Sequence, residues 1–194
     1  MTPWTLQRLT QADFLARVDE LLHVYCTAMG YPEVVGVVRR DQVREHASRD
    51  GFRAFGALAD GGGPHDELLG FAYGYRSRPG QWWHDEVRGG LRGADPAFTA
   101  HWLDDTFELC ELHVLPRWQG AGIGRRLLRT LLDGAPGRTV VLSTPESETG
   151  EESRAWRLYR STGFTDVLRR HVFPGDSRRF AVLGRELPVP AAQH

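Results

Sequence analysis

The spacing of apolar residues divides the first part of the chain into segments with different periods. Residues 4–9 alternate between apolar and polar side chains, which predicts a strand. In residues 11–29 the apolar positions recur every three or four residues, which predicts a helix with Thr10 as its N-cap and Gly30 at its end. A shorter and more polar helix is predicted over residues 39–50.

A hairpin and an irregular segment come next. Residues 52–59 and 68–76 are rich in aromatic and aliphatic side chains, and the glycine-rich stretch 60–67 separates them, so we expect two antiparallel strands joined by an exposed loop. Residues 79–104 contain several glycines and prolines and three tryptophans. We therefore expect a long insertion with short helical turns, and long insertions in compact domains are usually functional or disordered.

The second half of the chain alternates strands with helices. Strands are predicted over residues 106–114, 139–144, 164–173 and 179–187, and helices over residues 123–133 and 151–162. The complete order is β-α-α-β-β-β-α-β-α-β-β, which predicts a mixed α/β sheet with helices on both faces. We expect a single domain over residues 1–187, in which residues 79–104 form a substrate-side insertion, followed by a C-terminal tail over residues 188–194.

Composition narrows the classes of function. A chain of 194 residues with 41% hydrophobic and 25% charged content suits one folded domain. A pI near 6.7 gives no bulk attraction to nucleic acid, so no nucleic-acid partner is expected. There is no charged-then-apolar leader and no run of 18 apolar residues, so we expect a cytoplasmic protein without a membrane span. Cys26 and Cys110 are expected to be buried, reduced thiols, and no metal ligation is expected. The sequence leaves open whether the chain forms a homodimer.

The segment after the strand at residues 106–114 carries three glycines at alternate positions, Gly120, Gly122 and Gly124, and then continues with helical spacing. A P-loop is excluded because that motif needs a lysine and this chain has none. The dinucleotide fingerprint fails because its third glycine position is occupied by Arg125, or by Leu127 in the other register.

What remains is a turn whose backbone N–H groups point at an anion. Glycines permit close approach, and the helix N-terminus adds about half a positive charge, so a pyrophosphate fits such a turn. Arg125 and Arg126 lie in the first helical turn, where cations oppose the helix dipole, and a bound polyanion accounts for them.

The stretch LHVLPRWQGAGIGRRLL, which begins at Leu112, resembles the acetyl-coenzyme A signature of the GNAT N-acetyltransferase superfamily. Its fixed positions [QR]-x-x-G-x-[GA] fall on Gln119, Gly122 and Gly124. The resemblance implies the GNAT fold, with a mixed, mostly antiparallel sheet of about seven strands, and acetyl-CoA as the acetyl donor. The residues that it assigns to cofactor binding are Leu112, His113, Val114, Gln119, Gly120, Ala121, Gly122, Ile123, Gly124, Arg125, Arg126 and Tyr159.

A second block agrees with the first. The stretch AWRLYRSTGF is similar to the family pattern A-x-x-L-Y-x-x-x-G-F, which places Tyr159 where the family often keeps a tyrosine beside the coenzyme sulfur. One position departs from the family. Three residues before the alanine the family commonly has asparagine, and this chain has Glu152, so an amide contact to the cofactor is not expected there.

The resemblance implies attack of an amine on the acetyl thioester, with the developing oxyanion stabilised by the backbone N–H of Val114. Tyr159 is the predicted proton donor to the leaving sulfur. Glu108 and Glu111 are the two candidate bases, and strand alternation places them on opposite faces. Glu108 is preferred because substrate-side carboxylates of relatives such as aminoglycoside acetyltransferases lie six residues before the strand-ending valine.

Charge suggests the class of acceptor. Residues 82–108 contain six acidic residues and two arginines, whereas residues 117–185 contain thirteen arginines and seven acidic residues. The acidic, tryptophan-rich stretch is suited to a small cationic amine. The chain is therefore predicted to be an acetyl-CoA-dependent acyltransferase acting on a small-molecule amine. A peptide or protein N-acetyltransferase and a non-catalytic acyl-CoA sensor remain the alternatives.

Overall fold

The computed structural model describes residues 4–59, 66–146 and 153–188, and in them the chain forms seven strands and seven α-helices. In chain order these are β1 (Trp4–Leu9), α1 (Gln11–Ala16), α2 (Val18–Met29), α3 (Glu33–His46), β2 (Arg53–Ala59), β3 (Leu68–Ser77), α4 (Trp82–Gly90), α5 (Pro96–Leu103), β4 (Thr106–Val114), α6 (Ile123–Leu132), β5 (Thr139–Pro145), α7 (Arg154–Ser161), β6 (Thr165–His171) and β7 (Phe180–Glu186). Glu152 and residues 189–194 of the predicted tail lie outside the described residues.

The strands belong to one sheet in the order β1-β2-β3-β4-β5-β7-β6. β1 pairs with β2, β2 with β3, β5 with β7 and β6 with β7 in antiparallel fashion, whereas β4 and β5 run parallel through Thr106, Phe107 and Glu108. The prediction of a mixed, mostly antiparallel sheet of about seven strands is confirmed.

Local sequence explains how the first helices begin and end. Thr10 forms a capping box with Asp13, in which each side chain bonds the backbone N–H of the other residue. Gly30 ends α2 in the left-handed conformation, as predicted. The prediction of a single helix over residues 11–29 is wrong in one respect, because the helix is interrupted at Arg17. The Arg17 guanidinium donates to the carbonyl of Asp66, which lies 49 positions away and gives no local signal.

The third helix is longer than its sequence pattern suggests. α3 begins at Glu33 rather than at residue 39, and its early part exposes Val34, Val37 and Val38. Gly36 lets α3 approach α2 closely, since a Cβ at that position would lie 3.3 Å from the Cys26 sulfur. Packing of the two helices, rather than intrinsic propensity, therefore extends α3 through a valine-rich stretch.

The chain forms two compact units. The first comprises Met1–Tyr75 and Leu109–Ala135, and the second comprises Arg76–Glu108 and Pro136–His194. The core of the first unit is built on side chains from α1, α2, α3, β2 and β3, with Phe14 fully buried at its centre. The core of the second unit is built on α4, α5, β5, β6 and β7. The single domain over residues 1–187 stays a prediction.

The segment at residues 79–104 is folded into α4 and α5 rather than left as isolated turns. Trp83 and Trp102 are buried in the core of the second unit, whereas Trp82 is 52% exposed.

Among the described residues, no helix has the length and apolar content needed to span a membrane. Both cysteines are free, but only Cys26 is buried, so the prediction of two buried thiols is wrong for Cys110.

Candidate active site

The glycine turn leads from the end of β4 into α6. Gly120 and Gly122 have φ angles of 87° and 81°, a left-handed conformation that favours glycine. A Cβ at either position would have no atom within 4 Å, so the space beside the turn is open. Gly122 is the N-cap of α6 and no side chain caps the helix there. The first amides of α6 therefore have no intrahelical acceptor and suit an anion.

The turn is fastened to the strand before it. The Gln119 side chain donates a hydrogen bond of 3.0 Å to the carbonyl oxygen of Val114. The backbone of β4 is also approached closely by β3, because a Cβ on Gly70 would lie 2.8 Å from the carbonyl oxygen of His113. These contacts hold the backbone on both sides of the Val114 amide, which is the predicted oxyanion donor, and tie it to the glycine turn.

Both arginines that follow the turn, Arg125 and Arg126, are exposed. The Arg126 guanidinium also lies over the Trp4 ring, 5.3 Å from its centroid. This cation–π contact gives Arg126 a partner within the protein. Ile123 is buried, so only its backbone is suited to the predicted contact.

Glu111 is held in a network of charged and polar side chains. Its two oxygens lie 2.6 Å from the Arg39 guanidinium and 2.6 Å from His113 Nε2. Arg39 also donates to the Tyr25 hydroxyl at 2.5 Å and lies over its ring. Burial alone would raise the pKa of Glu111, but the Arg39 charge and the His113 hydrogen bond outweigh burial and hold that pKa below its ordinary value. Burial raises the pKa of Tyr25 to about 12, so Tyr25 stays a neutral phenol.

Cys110 and Glu111 are adjacent on β4, yet both contact side chains of α3. The Cys110 sulfur lies 3.4 Å from Nδ1 of His46, and Glu111 pairs with Arg39. Regular alternation would direct adjacent residues to opposite faces, so β4 departs from the simple pleat at this point. Sequence reasoning missed Arg39, Tyr25 and His46, because they are brought to β4 by tertiary packing and carry no local motif.

Glu108 and Tyr159 belong to the second unit, and both are almost fully buried, with 3% and 6% of their surface exposed. Glu108 stands opposite Val141 in the β4–β5 register. Tyr159 lies on α7, and the left-handed Gly163 turns the chain so that the Phe164 ring packs 5.6 Å from the Tyr159 ring. The glycine and phenylalanine of the second motif thus hold the tyrosine in place.

Asp85, Asp95, Asp104 and Asp105, four of the acidic residues in the stretch 82–108, are bound by groups of the second unit. Asp85 accepts from the Gly80 amide, and Asp95 caps α5 by accepting from the Ala97 amide. The other two form ion pairs, Asp104 with Arg88 at 2.7 Å and Asp105 with Arg76 at 2.6 Å. Most of the negative charge in this stretch therefore stabilises the fold, which weakens the argument from charge for a cationic acceptor.

Comparison with known proteins places this geometry among acetyltransferases. Residues 78–166 match the family model described as an acetyltransferase (GNAT) domain. A GCN5-like protein acetyltransferase of Mycobacterium tuberculosis is 42% identical over 93% of this chain and 97% of the relative.

Solved structures share the fold at low sequence identity. The ribosomal-protein-S18-alanine N-acetyltransferase of Escherichia coli has a TM-score of 0.58 and 16% identity, with 99% of each chain covered. The PaiA N-acetyltransferase of Thermoplasma acidophilum, solved in complex with coenzyme A, has a TM-score of 0.54 and 15% identity, with 95% of this chain and 99% of that chain covered.

The Glu111 network predicts a pH-dependent contribution to stability. The variant Glu111→Gln leaves Arg39 without its counter-charge, so we expect the free energy of unfolding at neutral pH to fall by about 2–3 kcal/mol. Because the pKa of Glu111 is lowered in the folded state, its contribution is present above the ordinary value of 4.5 and is lost as the pH falls through the folded-state pKa. Urea unfolding at several pH values measures both effects.

The matched control is Glu45→Gln, which removes an exposed carboxylate 3.0 Å from Arg49 within one helical turn. We expect that change to cost about 0.5 kcal/mol or less. Equal losses for the two variants, or a Glu111→Gln loss that does not shrink in acid, would show that the Arg39 pair is not a buried stabilising contact.

Proposed function

Because the chain belongs to the GNAT family of acetyltransferases, we propose that it transfers the acetyl group of acetyl-CoA to a primary amine of a protein substrate by direct attack in a ternary complex. The open glycine turn at the start of α6 is the observation that supports acetyl-CoA as the acetyl donor. The acceptor class is supported by the near full-length mycobacterial relative, which is named as a protein acetyltransferase.

The glycine turn fits the pyrophosphate of the donor. Gly120 and Gly122 leave open space where a side chain would otherwise stand, and the uncapped amides of α6 supply donors and a positive dipole end. Gln119 contributes by fixing the turn to β4. Arg125 and Arg126 are both exposed in the first turn of α6 and are proposed to pair with the phosphates, for which Arg126 would have to leave its contact with the Trp4 ring.

In the proposed reaction the protein binds and orients acetyl-CoA and the amine, and it moves two protons. Acetyl-CoA supplies an electrophilic thioester carbonyl. The Val114 amide is proposed to donate to the carbonyl oxygen as negative charge develops on it, which is the role of an oxyanion hole. Tyr159 is proposed to give a proton to the departing sulfur.

Of the two candidate bases, Glu108 is the better one. Each oxygen of Glu111 is engaged, one by Arg39 and one by His113, and its lowered pKa makes it a weak base. Glu108 is buried on the same strand and takes no part in that ion pair. We therefore assign proton removal from the amine to Glu108 and a structural role to Glu111.

A small cationic amine remains a second candidate acceptor. The exposed Trp82 ring, which lies 5.5 Å from the Phe173 ring, is an aromatic surface of the kind that covers cationic ligands. Against this candidate, most acidic side chains of the same stretch are bound to backbone amides or to arginines.

The function is tested by calorimetry with acetyl-CoA, followed by measurement of thiol release with a panel of lysine-containing proteins and peptides and a panel of small amines. We expect binding of acetyl-CoA and turnover with protein lysines. The chain contains no lysine, so acetyl-lysine found by mass spectrometry belongs to the substrate. Turnover with small amines alone would favour the second candidate. Binding without turnover on either panel would instead indicate a sensor.

The variant Gly122→Asp tests the glycine turn. A carboxylate beside the α6 amides competes with phosphate for the same donors and repels it, so we expect the Kd for acetyl-CoA to rise by about tenfold or more. Gly175→Asp is the matched control, since Gly175 has a φ of 84° and also has open space at its Cβ position. Calorimetry on both variants measures the difference. An unchanged Kd for Gly122→Asp would place the phosphates elsewhere.

The variant Tyr159→Phe tests the proton donor. Loss of the hydroxyl should lower kcat by roughly 10- to 1000-fold, because water replaces the phenol only in part. The Kd for acetyl-CoA should change little, since the ring and its packing on Phe164 are kept. Tyr31→Phe serves as a control for loss of a hydroxyl elsewhere. If kcat is unaffected, Tyr159 has a packing role only.

A further inference from the structure

The helix that carries Tyr159 is attached to the second unit at few points. α7 has eight residues, RAWRLYRS, and its buried side chains are those of Trp156 and Tyr159. A helix of this length is not stable by itself, so its tertiary contacts determine where it lies. The contacts of Trp156 therefore bear directly on the position of Tyr159.

Two guanidinium groups cover the Trp156 ring. The guanidinium carbon of Arg160 lies 4.9 Å from the ring centroid, and that of Arg169 lies 5.1 Å from it. Arg160 belongs to α7 itself, one helical turn after Trp156, whereas Arg169 belongs to β6. We propose that Arg169 is a positioning residue for Tyr159, because it holds Trp156 from the neighbouring strand and α7 with it.

Two carboxylates hold the guanidinium groups over the ring. Asp166 accepts from both arginines, at Oδ1 from Arg160 and at Oδ2 from Arg169, the latter at 3.1 Å. Glu146, directly after β5, accepts from Nε of Arg169 at 2.6 Å. Charge-assisted hydrogen bonds of this kind fix the direction of a guanidinium as well as its place. Arg169 is therefore held at two of its nitrogens and presents its plane to the ring in a restricted orientation.

Both carboxylates stay ionised near pH 7. Burial alone would raise the pKa of Asp166, but the hydrogen bonds from Arg160 and Arg169 outweigh burial and hold that pKa below its ordinary value. Burial likewise opposes ionisation of Glu146, and the hydrogen bond from Arg169 contributes to lowering its pKa. The contacts that hold the two arginines are therefore kept throughout the neutral pH range.

Arg160 connects the same group of side chains to the ring that packs on Tyr159. Its guanidinium donates at 3.2 Å to the carbonyl oxygen of Phe164, and the Phe164 ring lies 5.6 Å from the Tyr159 ring. Asp166, which pairs with Arg160, therefore constrains Tyr159 along two routes. One route passes through Trp156 and α7, and the other passes through the backbone and ring of Phe164.

The inference rests on the proposed role of Tyr159 as the proton donor to the departing sulfur. A misplacement of about 1 Å in a reacting group can lower the rate by about 100-fold. Arg169 has no assigned contact with the reacting groups, so it acts through the position of α7. Its loss should lower kcat while leaving the Kd for acetyl-CoA nearly unchanged, because binding is assigned to the glycine turn before α6.

The variant Arg169→Met tests the positioning role. Methionine keeps an unbranched side chain but removes the charge and the hydrogen bonds, so we expect kcat to fall by about 5- to 20-fold and the Kd for acetyl-CoA to change by less than about twofold. Arg178→Met is the matched control. Arg178 also pairs with a carboxylate, that of Asp176 at 2.6 Å, and lies over an aromatic ring, that of Phe180 at 5.2 Å. An equal fall in kcat for the control would overturn the inference.

A double-mutant cycle separates positioning from general destabilisation. The variant Tyr159→Phe has no hydroxyl to position, so adding Arg169→Met to it should lower kcat by less than about twofold further. Two losses that multiply would show that Arg169 acts independently of Tyr159, which overturns its positioning role alone. An unchanged kcat for Tyr159→Phe by itself would instead overturn the assignment of the proton donor.

Hydrogen–deuterium exchange reports on α7 without turnover. In Arg169→Met the amides of residues 154–161 should exchange about threefold faster or more, whereas those of α6 should keep their rate. Unchanged exchange in α7 would contradict the inference. Arg169→Lys guards against a folding failure of the methionine variant, which circular dichroism melting identifies. Lysine keeps the charge but not the planar fork, so we expect kcat to fall by about two- to fivefold, and full activity would overturn the inference.

Discussion

Glu111 is a largely buried carboxylate on β4, and the balance of charge between β4 and α3 in the first unit depends on its pairing with Arg39. Arg39 is fixed in turn by the hydroxyl and ring of Tyr25. With Arg39 against β4, helical spacing brings Val43 and His46 to the same side of α3. This ion pair therefore joins α3 to β4 and makes Glu111 a weak base, and the same side of α3 carries the imidazole that contacts Cys110.

The features predicted from sequence are those encoded locally. The glycine turn, the helix after it and the Gly30 helix end depend on residues only a few positions apart, and their conformations agree with the pattern. The Glu111 network joins residues 72 positions apart and could not be predicted in this way. The interruption at Arg17 and the early start of α3 have the same cause, since tertiary packing overrides local propensity there.

The acidic stretch shows why composition is a weak guide to a ligand. Its negative charge invites the prediction of a cationic acceptor, but the charge count does not reveal which carboxylates cap a helix or pair with arginine. Asp95 is placed directly before Pro96, a helix-start pattern with a local purpose. A carboxylate bound in this way has part of its capacity to accept hydrogen bonds already used, so the acceptor class has to be argued from other features.

Every position that could carry lysine or arginine carries arginine in this chain, and the two side chains differ in how they react with an acetyl thioester. A guanidinium stays protonated near pH 7 and presents no free lone pair to a thioester, whereas a lysine in equilibrium with its neutral form is a nucleophile. The ion pairs of Arg39 and Arg88 are therefore resistant to the acyl donor that the protein binds. The same reasoning gives weight to the thiols, because they are the softest nucleophiles in a chain that has no lysine. Of the two, Cys26 is buried in the core, so Cys110, which is only partly buried, is the thiol that the folded protein leaves more accessible to small electrophiles.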